Sequence, residues 1–237
     1  EWQKENSIIL SPRQAEAVKN LKYRISIVTG GPGTGKTTCL RAIMDVYHKV
    51  WPSEHILLMA PTGLAAKRMA ESTGMNSATI HKACGLVPAD NPSGFKAQGE
   101  CRICGFVGID EMSMVGEHLF AFAVDAVLNS PSTRIVLLGD TDQLAPVSRG
   151  DVLRDLIECG VIKTVRLDVN YRQGSTSTIT DASIKIRENR AYSGMTRNLR
   201  FDDEFNFISV TDPDEKTEAD KIMKTIVEEY RKGVAQY

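Results

Sequence analysis

With 237 residues, 42% of them hydrophobic, the chain is long enough to bury a sizeable core and too apolar to be disordered. A formal net charge of -1 excludes a global basic coat for nucleic acid or an anionic membrane, so any such contact must be local. No apolar run approaches the ~20 residues of a membrane helix, the start lacks signal-peptide order, and the five cysteines are odd in number and scattered. The expectation is a cytoplasmic protein with reduced thiols and no membrane partner. The first residue is Glu1 rather than Met, which suggests a piece of a longer protein.

In chain order, Leu10-Ser11-Pro12-Arg13-Gln14 opens a helix: Ser11 can cap its first turn, and Pro12 suits the first helical position. The Gln14 amide offers a donor and an acceptor, which is what an adenine edge requires. Taken alone, an amide on a solvated helix face is the commoner case. An apolar run at 25–28 then leads into Gly30-Gly31-Pro32-Gly33-Thr34-Gly35-Lys36-Thr37, which fits G-x-x-x-x-G-K-[ST] at every fixed position. A helix-compatible run at 36–50 completes the strand, loop and helix of a phosphate-binding P-loop. Such a loop turns backbone N–H groups onto phosphate oxygens at the positive end of the helix. Gly31, Pro32, Gly33, Thr34, Gly35, Lys36, Thr37 and Thr38 are therefore expected to bind a nucleoside triphosphate, with Thr37 offering its hydroxyl to Mg²⁺. ATP and GTP remain open at this point.

A second buried strand is expected at 55–60, ended by Pro61-Thr62-Gly63, followed by a helix at 64–72 with Lys67 and Arg68 on its polar side. Small, hydroxyl and basic groups thus gather at a strand's carboxyl end, where open α/β sheets bind ligands. Thr79-Ile80-His81 follows, and residues 86–100 read as a protruding loop or small hairpin. A strand at 106–109 ends in Asp110-Glu111, the Walker B pattern of a Mg²⁺-holding Asp beside a water-activating Glu. A helix at 116–128, a strand at 134–138, the turn-rich Gly139-Asp140-Thr141-Asp142-Gln143-Leu144-Ala145-Pro146, a helix at 151–159 and a strand at 162–167 complete a unit of four or five strands. Gln143 could sense a γ-phosphate. Strands alternating with helices predict a parallel, doubly wound sheet.

Asn170-Tyr171-Arg172-Gln173 precedes a Ser/Thr/Gly-rich boundary at 174–180. Beyond it a helix at 181–190, a strand at 206–210 and an amphipathic helix at 213–232 are expected, the last with Gly233 past its end. A second sheet would begin near residue 169 and stay unfinished at Tyr237. Apart from these motifs, His81 and Cys84 with Cys101 and Cys104 offer zinc-like spacing, but structural thiols are the favoured reading.

Taken together, the ordered motifs resemble the first motor domain of a superfamily 1B DNA helicase of the RecD/TraA type. Ser11 to Gln14 is similar to the Q motif, Gly30 to Thr38 to motif I, Ala60 to Arg68 to motif Ia, and Thr79 to His81 to the strand-contacting motif after it. Ile109 to Met114 looks like motif II, Gly139 to Val147 like motif III, and Asn170 to Gln173 like motif IV. The resemblance implies a RecA-like P-loop NTPase fold, with a first motor domain at 1–168, a small hairpin insertion at about 86–105, and an incomplete second RecA-like domain at 169–237. It implies that Gln14 reads adenine, that Lys36, Asp110, Glu111, Gln143 and Arg172 carry ATP hydrolysis, and that Thr37 and Asp110 hold Mg²⁺. Pro61, Thr62, Gly63, Lys67, Thr79 and His81 would touch single-stranded DNA, mostly through its backbone. The implied activity is ATP-driven 5′→3′ translocation and unwinding at single-strand/duplex junctions, in DNA repair or recombination and with recombination or conjugation proteins as partners. The family's motifs V and VI, with a further Arg finger, are not in these residues, so this piece is expected to hydrolyse ATP weakly. Two rivals share the core: a P-loop switch, though the Asn-Lys-x-Asp of a GTPase is not in the sequence, and a non-catalytic nucleotide-gated DNA-binding module.

Overall fold

The computed structural model describes residues 2–6, 8–91, 93–98, 104–128, 132–171 and residue 224. The chain divides into two compact units, Glu1–Gly174 and Ser175–Tyr237, and the first carries the sheet and the helices that cover it. Arg172, Gln173, Cys101 and the elements expected at 181–190, 206–210 and 213–232 lie outside the described residues.

In chain order the elements are α1 (Trp2–Asn6), α2 (Pro12–Lys19), β1 (Ile25–Gly30), α3 (Lys36–Val50), β2 (Ile56–Ala60), α4 (Gly63–Thr73), β3 (Ser77–Thr79) and α5 (Ile80–Ala83). They continue with β4 (Leu86–Pro88), β5 (Phe95–Ala97), β6 (Phe106–Ile109), α6 (Glu117–Val127), β7 (Arg134–Gly139), α7 (Val152–Glu158) and β8 (Lys163–Leu167). Six strands form one parallel sheet in the order β3-β2-β6-β7-β1-β8. This is the α/β P-loop architecture that the alternation predicts.

Each central strand feeds two apolar layers, as a sheet covered on both faces must. Ile27, Met59, Val107, Ile109, Ile135 and Leu137 face a layer with Ala123 and Val127 of α6 and Leu153 of α7. Their neighbours Val28, Leu58, Phe106, Val136 and Leu138 face the other, built from Ala17, Leu40, Ile43, Met44, Tyr47 and Met69 of α2, α3 and α4. Leu40, Ile43 and Ile27 are fully buried, and such side chains each stabilise the fold by about 1.5–3 kcal/mol. Removing one from α3 would loosen the helix that carries the P-loop.

The sheet has one strand more than expected. β3 is three residues long, pairs only with β2 and is half-buried throughout, so it carries no alternation to read. Residues 86–97 do form a hairpin: β4 and β5 pair antiparallel, Leu86 opposite Ala97 and Pro88 opposite Phe95. The short α1 has no periodic signal either. It docks on α3, where the buried Trp2 indole donates to Asp45 Oδ2 at 2.6 Å. No helix among the described residues is long and apolar enough to cross a membrane.

Candidate functional site

Register fixes what meets at the carboxyl edge of the sheet. Thr79 lies opposite Ala60, Met59 opposite Ile109, Ile109 opposite Leu137, Gly139 opposite Thr29, and Gly30 opposite Leu167. The segments that follow these strands therefore stand side by side: α5, Pro61-Thr62-Gly63, Asp110-Glu111, the 140–150 loop, the P-loop, and Asn170-Tyr171. Every motif singled out in the described residues lies on this edge or just behind it.

The P-loop turns on Gly33 (φ 79°) and Gly35 (φ 81°), left-handed conformations that glycine adopts without a Cβ clash. Gly35 caps α3, so the first N–H groups of that helix open toward the loop. Thr34 Oγ1 donates to Gly31 O at 2.8 Å, and Lys36 Nζ donates to Gly30 O at 2.6 Å and Gly31 O at 3.2 Å. The ammonium thus sits inside the loop on carbonyl acceptors. Loop N–H groups and an ammonium are the donor set that phosphate oxygens satisfy.

Gln14 is not a solvated surface amide: it is only 3% exposed. Ser11 and Gln14 cap each other, Gln14 N–H donating to Ser11 Oγ at 3.2 Å and Ser11 N–H to Gln14 Oε1 at 2.9 Å. That leaves Nε2 over the P-loop, 3.5 Å from Thr34 O. Tyr171 closes the same corner, its N–H donating to Gly33 O at 2.8 Å.

Asp110 leaves β6 with its N–H on Met59 O at 3.0 Å, and its Oδ1 accepts the Glu111 N–H at 2.8 Å. Burial pushes the Asp110 carboxyl above its ordinary range; the Glu111 N–H and the nearby Lys36 ammonium pull the other way, and the Glu111 charge adds to the rise. A buried carboxylate so poorly compensated fits a divalent cation, which would restore its charge. Thr37 opens α3 one residue past Lys36. Glu111 itself is left-handed (φ 54°, ψ 42°), the one non-glycine residue so placed among the described ones. Such a conformation costs on the order of 1–3 kcal/mol and re-aims the carboxylate at a turn. Two residues on, the buried Ser113 donates to Gln143 Oε1 at 3.0 Å, tying the 140–150 loop to the segment after the acidic pair.

On the far half of the edge, Thr62 caps α4 through Ala65 N–H at 3.2 Å, and Thr79 caps α5 through Lys82 N–H at 3.2 Å. Gly63 is open: a Cβ there would meet nothing within 4 Å. Lys67 is exposed, 3.9 Å from Glu71. The His81 ring packs on Phe95 of β5, 4.6 Å between centroids, and partial burial lowers its pKa. His81 therefore braces the hairpin. Cys84 and Cys104 are buried in the apolar layer, and no group of three His, Cys, Asp or Glu among the described residues could hold a metal ion.

The sequence reading missed Ser113, the reciprocal half of the Ser11–Gln14 cap and the Tyr171 backbone contact. The S-x-x-Q spacing was a readable signal for the second; the others bridge residues far apart in the chain.

The AAA domain family matches residues 9–211. The chain is 36% identical over 176 residues to an ATP-dependent RecD2 DNA helicase of Deinococcus radiodurans, covering 73% of this chain and 23% of that protein. It is 35% identical over 187 residues to the RecBCD enzyme subunit RecD of Mycolicibacterium smegmatis, covering 69% and 33%. Among solved structures it resembles the Pif1 helicase of Candida albicans, with a TM-score of 0.56 and 25% identity over 83% of this chain and 50% of that one. The chain spans about a quarter to a third of the length of the two curated relatives.

Proposed function

Since the chain belongs to the AAA domain family, as a RecD-type superfamily 1B motor domain, we propose that it is the nucleotide-hydrolysing half of an ATP-dependent DNA helicase. The observation that carries this reading is the register that sets the P-loop, Asp110-Glu111 and the Gln143 loop on three adjacent strands, with Ser113 bonded to Gln143. The relatives named as DNA helicases support the same direction.

The residues divide the work. The loop from Gly31 to Thr38 cradles the phosphates, and Lys36 moves from its loop carbonyls onto the β- and γ-phosphates. Thr37 and Asp110 would hold Mg²⁺, which when bound would neutralise developing phosphate charge. Glu111 orients and deprotonates the attacking water, and its strained backbone fixes the carboxylate's aim. Gln143 reports the γ-phosphate through Ser113 to the acidic turn, and Arg172 supplies a further positive group. Gln14 reads the base. Pro61, Thr62, Gly63, Lys67, Thr79 and His81 follow the backbone of a single DNA strand, so cleavage at one half of the edge is felt at the other through β6 and β2.

The wider reading is a motor stepping 5′→3′ and splitting duplex at the 86–97 hairpin. Residues 1–168 would form its first RecA-like domain and 169–237 the start of a second, with recombination or conjugation proteins as partners in the cytoplasm. The test is ATP hydrolysis with and without single-stranded DNA, on this chain and on one extended through motifs V and VI. Stimulation in the extended chain with weak hydrolysis here is the expected result. Absence of stimulation in both would sink the motor and favour a nucleotide-gated binding module.

A further inference from the structure

Gln143 stands exposed at the end of a tight turn, its own N–H donating to Asp140 O at 3.2 Å. Its side-chain oxygen is nevertheless taken by the buried Ser113 hydroxyl, 3.0 Å away. Ser113 is in no position to follow a wandering partner, because Met112 and Val115 on either side of it are fully buried in the layer shared with Ala123 and Leu153. The turn also closes on itself, through Met114 N–H to Glu111 O at 3.0 Å and Val115 N–H to Met112 O at 3.1 Å. The rigid partner therefore places the mobile one.

The far end of the same loop is pinned to the same segment. Glu117 N–H donates to Arg149 O at 2.9 Å. Gly116 has φ −84° and ψ 173°, a backbone open to any residue, so its missing side chain answers to contact and not to conformation. A Cβ there would fall on Ser148 Oγ and lie 2.7 Å from Arg149 O. Between the two pins, Leu144 and Val147 stand in solvent. Arg166 to Asp142 at 3.2 Å and Arg154 to Thr141 O at 3.4 Å brace the start of the loop, both from exposed side chains that solvent screens.

We infer that the 113–117 segment is a two-point clasp on the 143–149 loop, with Ser113 as the positioning residue that presents the Gln143 amide to a γ-phosphate. The inference rests on the reading of Gln143 as the group that senses that phosphate. A serine hydroxyl can give or take a proton, so alone it holds either end of an amide. A phosphoryl oxygen only accepts and therefore takes Nε2, which leaves Oε1 for the Ser113 proton. The bond in the structure is the one that arrangement needs. Gln143 thus meets the phosphate with its rotamer freedom already lost, and the clasp makes the loop and the acidic turn move as one body.

Ribose-labelled fluorescent ADP and a non-hydrolysable ATP analogue, each with Mg²⁺, would be titrated against this chain, with thermal unfolding followed in parallel. The ratio of the two affinities isolates the γ-phosphate. Gln143→Ala should lower the preference for the triphosphate about tenfold, the weight of a hydrogen bond to a charged group. Ser113→Ala should lower it about three- to tenfold, through the rotamer freedom it releases. In the Gln143→Ala background, Ser113→Ala should change the ratio no further, because the serine acts through that amide. A second fall of the same size in that background would reveal a general structural role and overturn the inference. So would a Ser113→Ala chain with the wild-type ratio.

Should Ser113→Ala not fold, Gly116→Ala tests the other pin. Its methyl displaces Ser148 and Arg149, and the triphosphate preference should fall at least about threefold, within the reach of the freedom so released. An unchanged ratio in a folded Gly116→Ala chain would overturn the clasp equally. Gln143→Ala with the wild-type ratio, while Lys36→Ala loses both nucleotides, would remove Gln143 from γ-phosphate sensing and the inference with it. Binding of neither nucleotide by the wild-type chain would defeat the nucleotide-site reading and the inference together.

Discussion

The two halves of the sheet's carboxyl edge are built under different constraints. Around β1, β7 and β8 the loops press on one another: a Cβ on Gly30 would come 2.7 Å from Leu167 O and 2.8 Å from Thr34 Oγ1. At the end of β2, by contrast, a Cβ on Gly63 would meet open space. Both glycines start a motif, yet one is demanded by the protein's own packing and the other is not. A residue that the fold does not need is left for something outside the fold to need. The proposed nucleotide half is thus closely packed at Gly30, and the proposed DNA half has open space at Gly63, which suits a strand laid along it.

The largest effect that sharpens this contrast is chemical. Lys36→Ala removes a charge now paired with two loop carbonyls and, in the proposed cycle, with the transferring phosphate. Turnover should fall by roughly a thousandfold or more, the scale seen when a transition-state charge is removed. Steady-state hydrolysis measures it directly; turnover within tenfold of wild type would remove Lys36 from the mechanism. Next comes Gly30→Ala, which forces a methyl into a backbone carbonyl. The cost should be about 1–3 kcal/mol, or a thermal midpoint lower by roughly 2–12 °C. An unchanged midpoint would show that the nucleotide half has more slack than its distances indicate.

How much of this was legible from the sequence follows the same division. The P-loop, the Asp110-Glu111 pair and the strand that carries each were readable because local pattern and local conformation coincide there. The Gly and Pro content of 86–100 marked a protruding segment but left loop and hairpin open, and the structure shows the hairpin. β3 was not readable, because three half-buried residues pairing on one side alternate with nothing. Taken alone, Gln14 looked like a surface amide because what lies against it, Thr34, Gly35 and Cys39, is twenty or more positions away. Ser113 reaches Gln143 across 30 positions, a pairing that no periodicity encodes. The left-handed Glu111 was equally invisible, since nothing in its side chain asks for that backbone.

A smaller effect comes from pH. The Asp110 carboxyl of the metal-free fold titrates above its ordinary 3.8, chiefly because it is buried. The folded chain therefore holds a proton that the unfolded chain has already released, and stability falls as pH rises from that value through the raised one. Asp110→Asn removes the slope, so the thermal midpoints of variant and wild type should diverge as pH rises through this window, the variant being the more stable at neutral pH without metal. Mg²⁺ should reverse the order by binding only the wild-type carboxylate. Parallel midpoints at every pH would mean that the carboxylate is better compensated than its surroundings allow.

The smallest effect on the fold is the most informative about the DNA half. Gly63 is the first residue of α4, held there by the Thr62 cap, so Ala in its place keeps a helical backbone and gains a few tenths of a kcal/mol from lower chain entropy. Its methyl touches no protein atom. Gly63→Ala should therefore leave the thermal midpoint equal or slightly raised and nucleotide affinity as it was. If a DNA strand lies along this edge with its backbone against the helix start, the methyl occupies the space a phosphate needs. Single-strand affinity, read by fluorescence anisotropy of a labelled oligonucleotide, should then fall about fivefold, the weight of one lost backbone hydrogen bond. Unchanged DNA affinity in a stable variant would move the strand path away from Thr62 and Gly63. Loss of stability as well would mean that the open half is packed after all, and that the two halves of the edge differ less than their glycines imply.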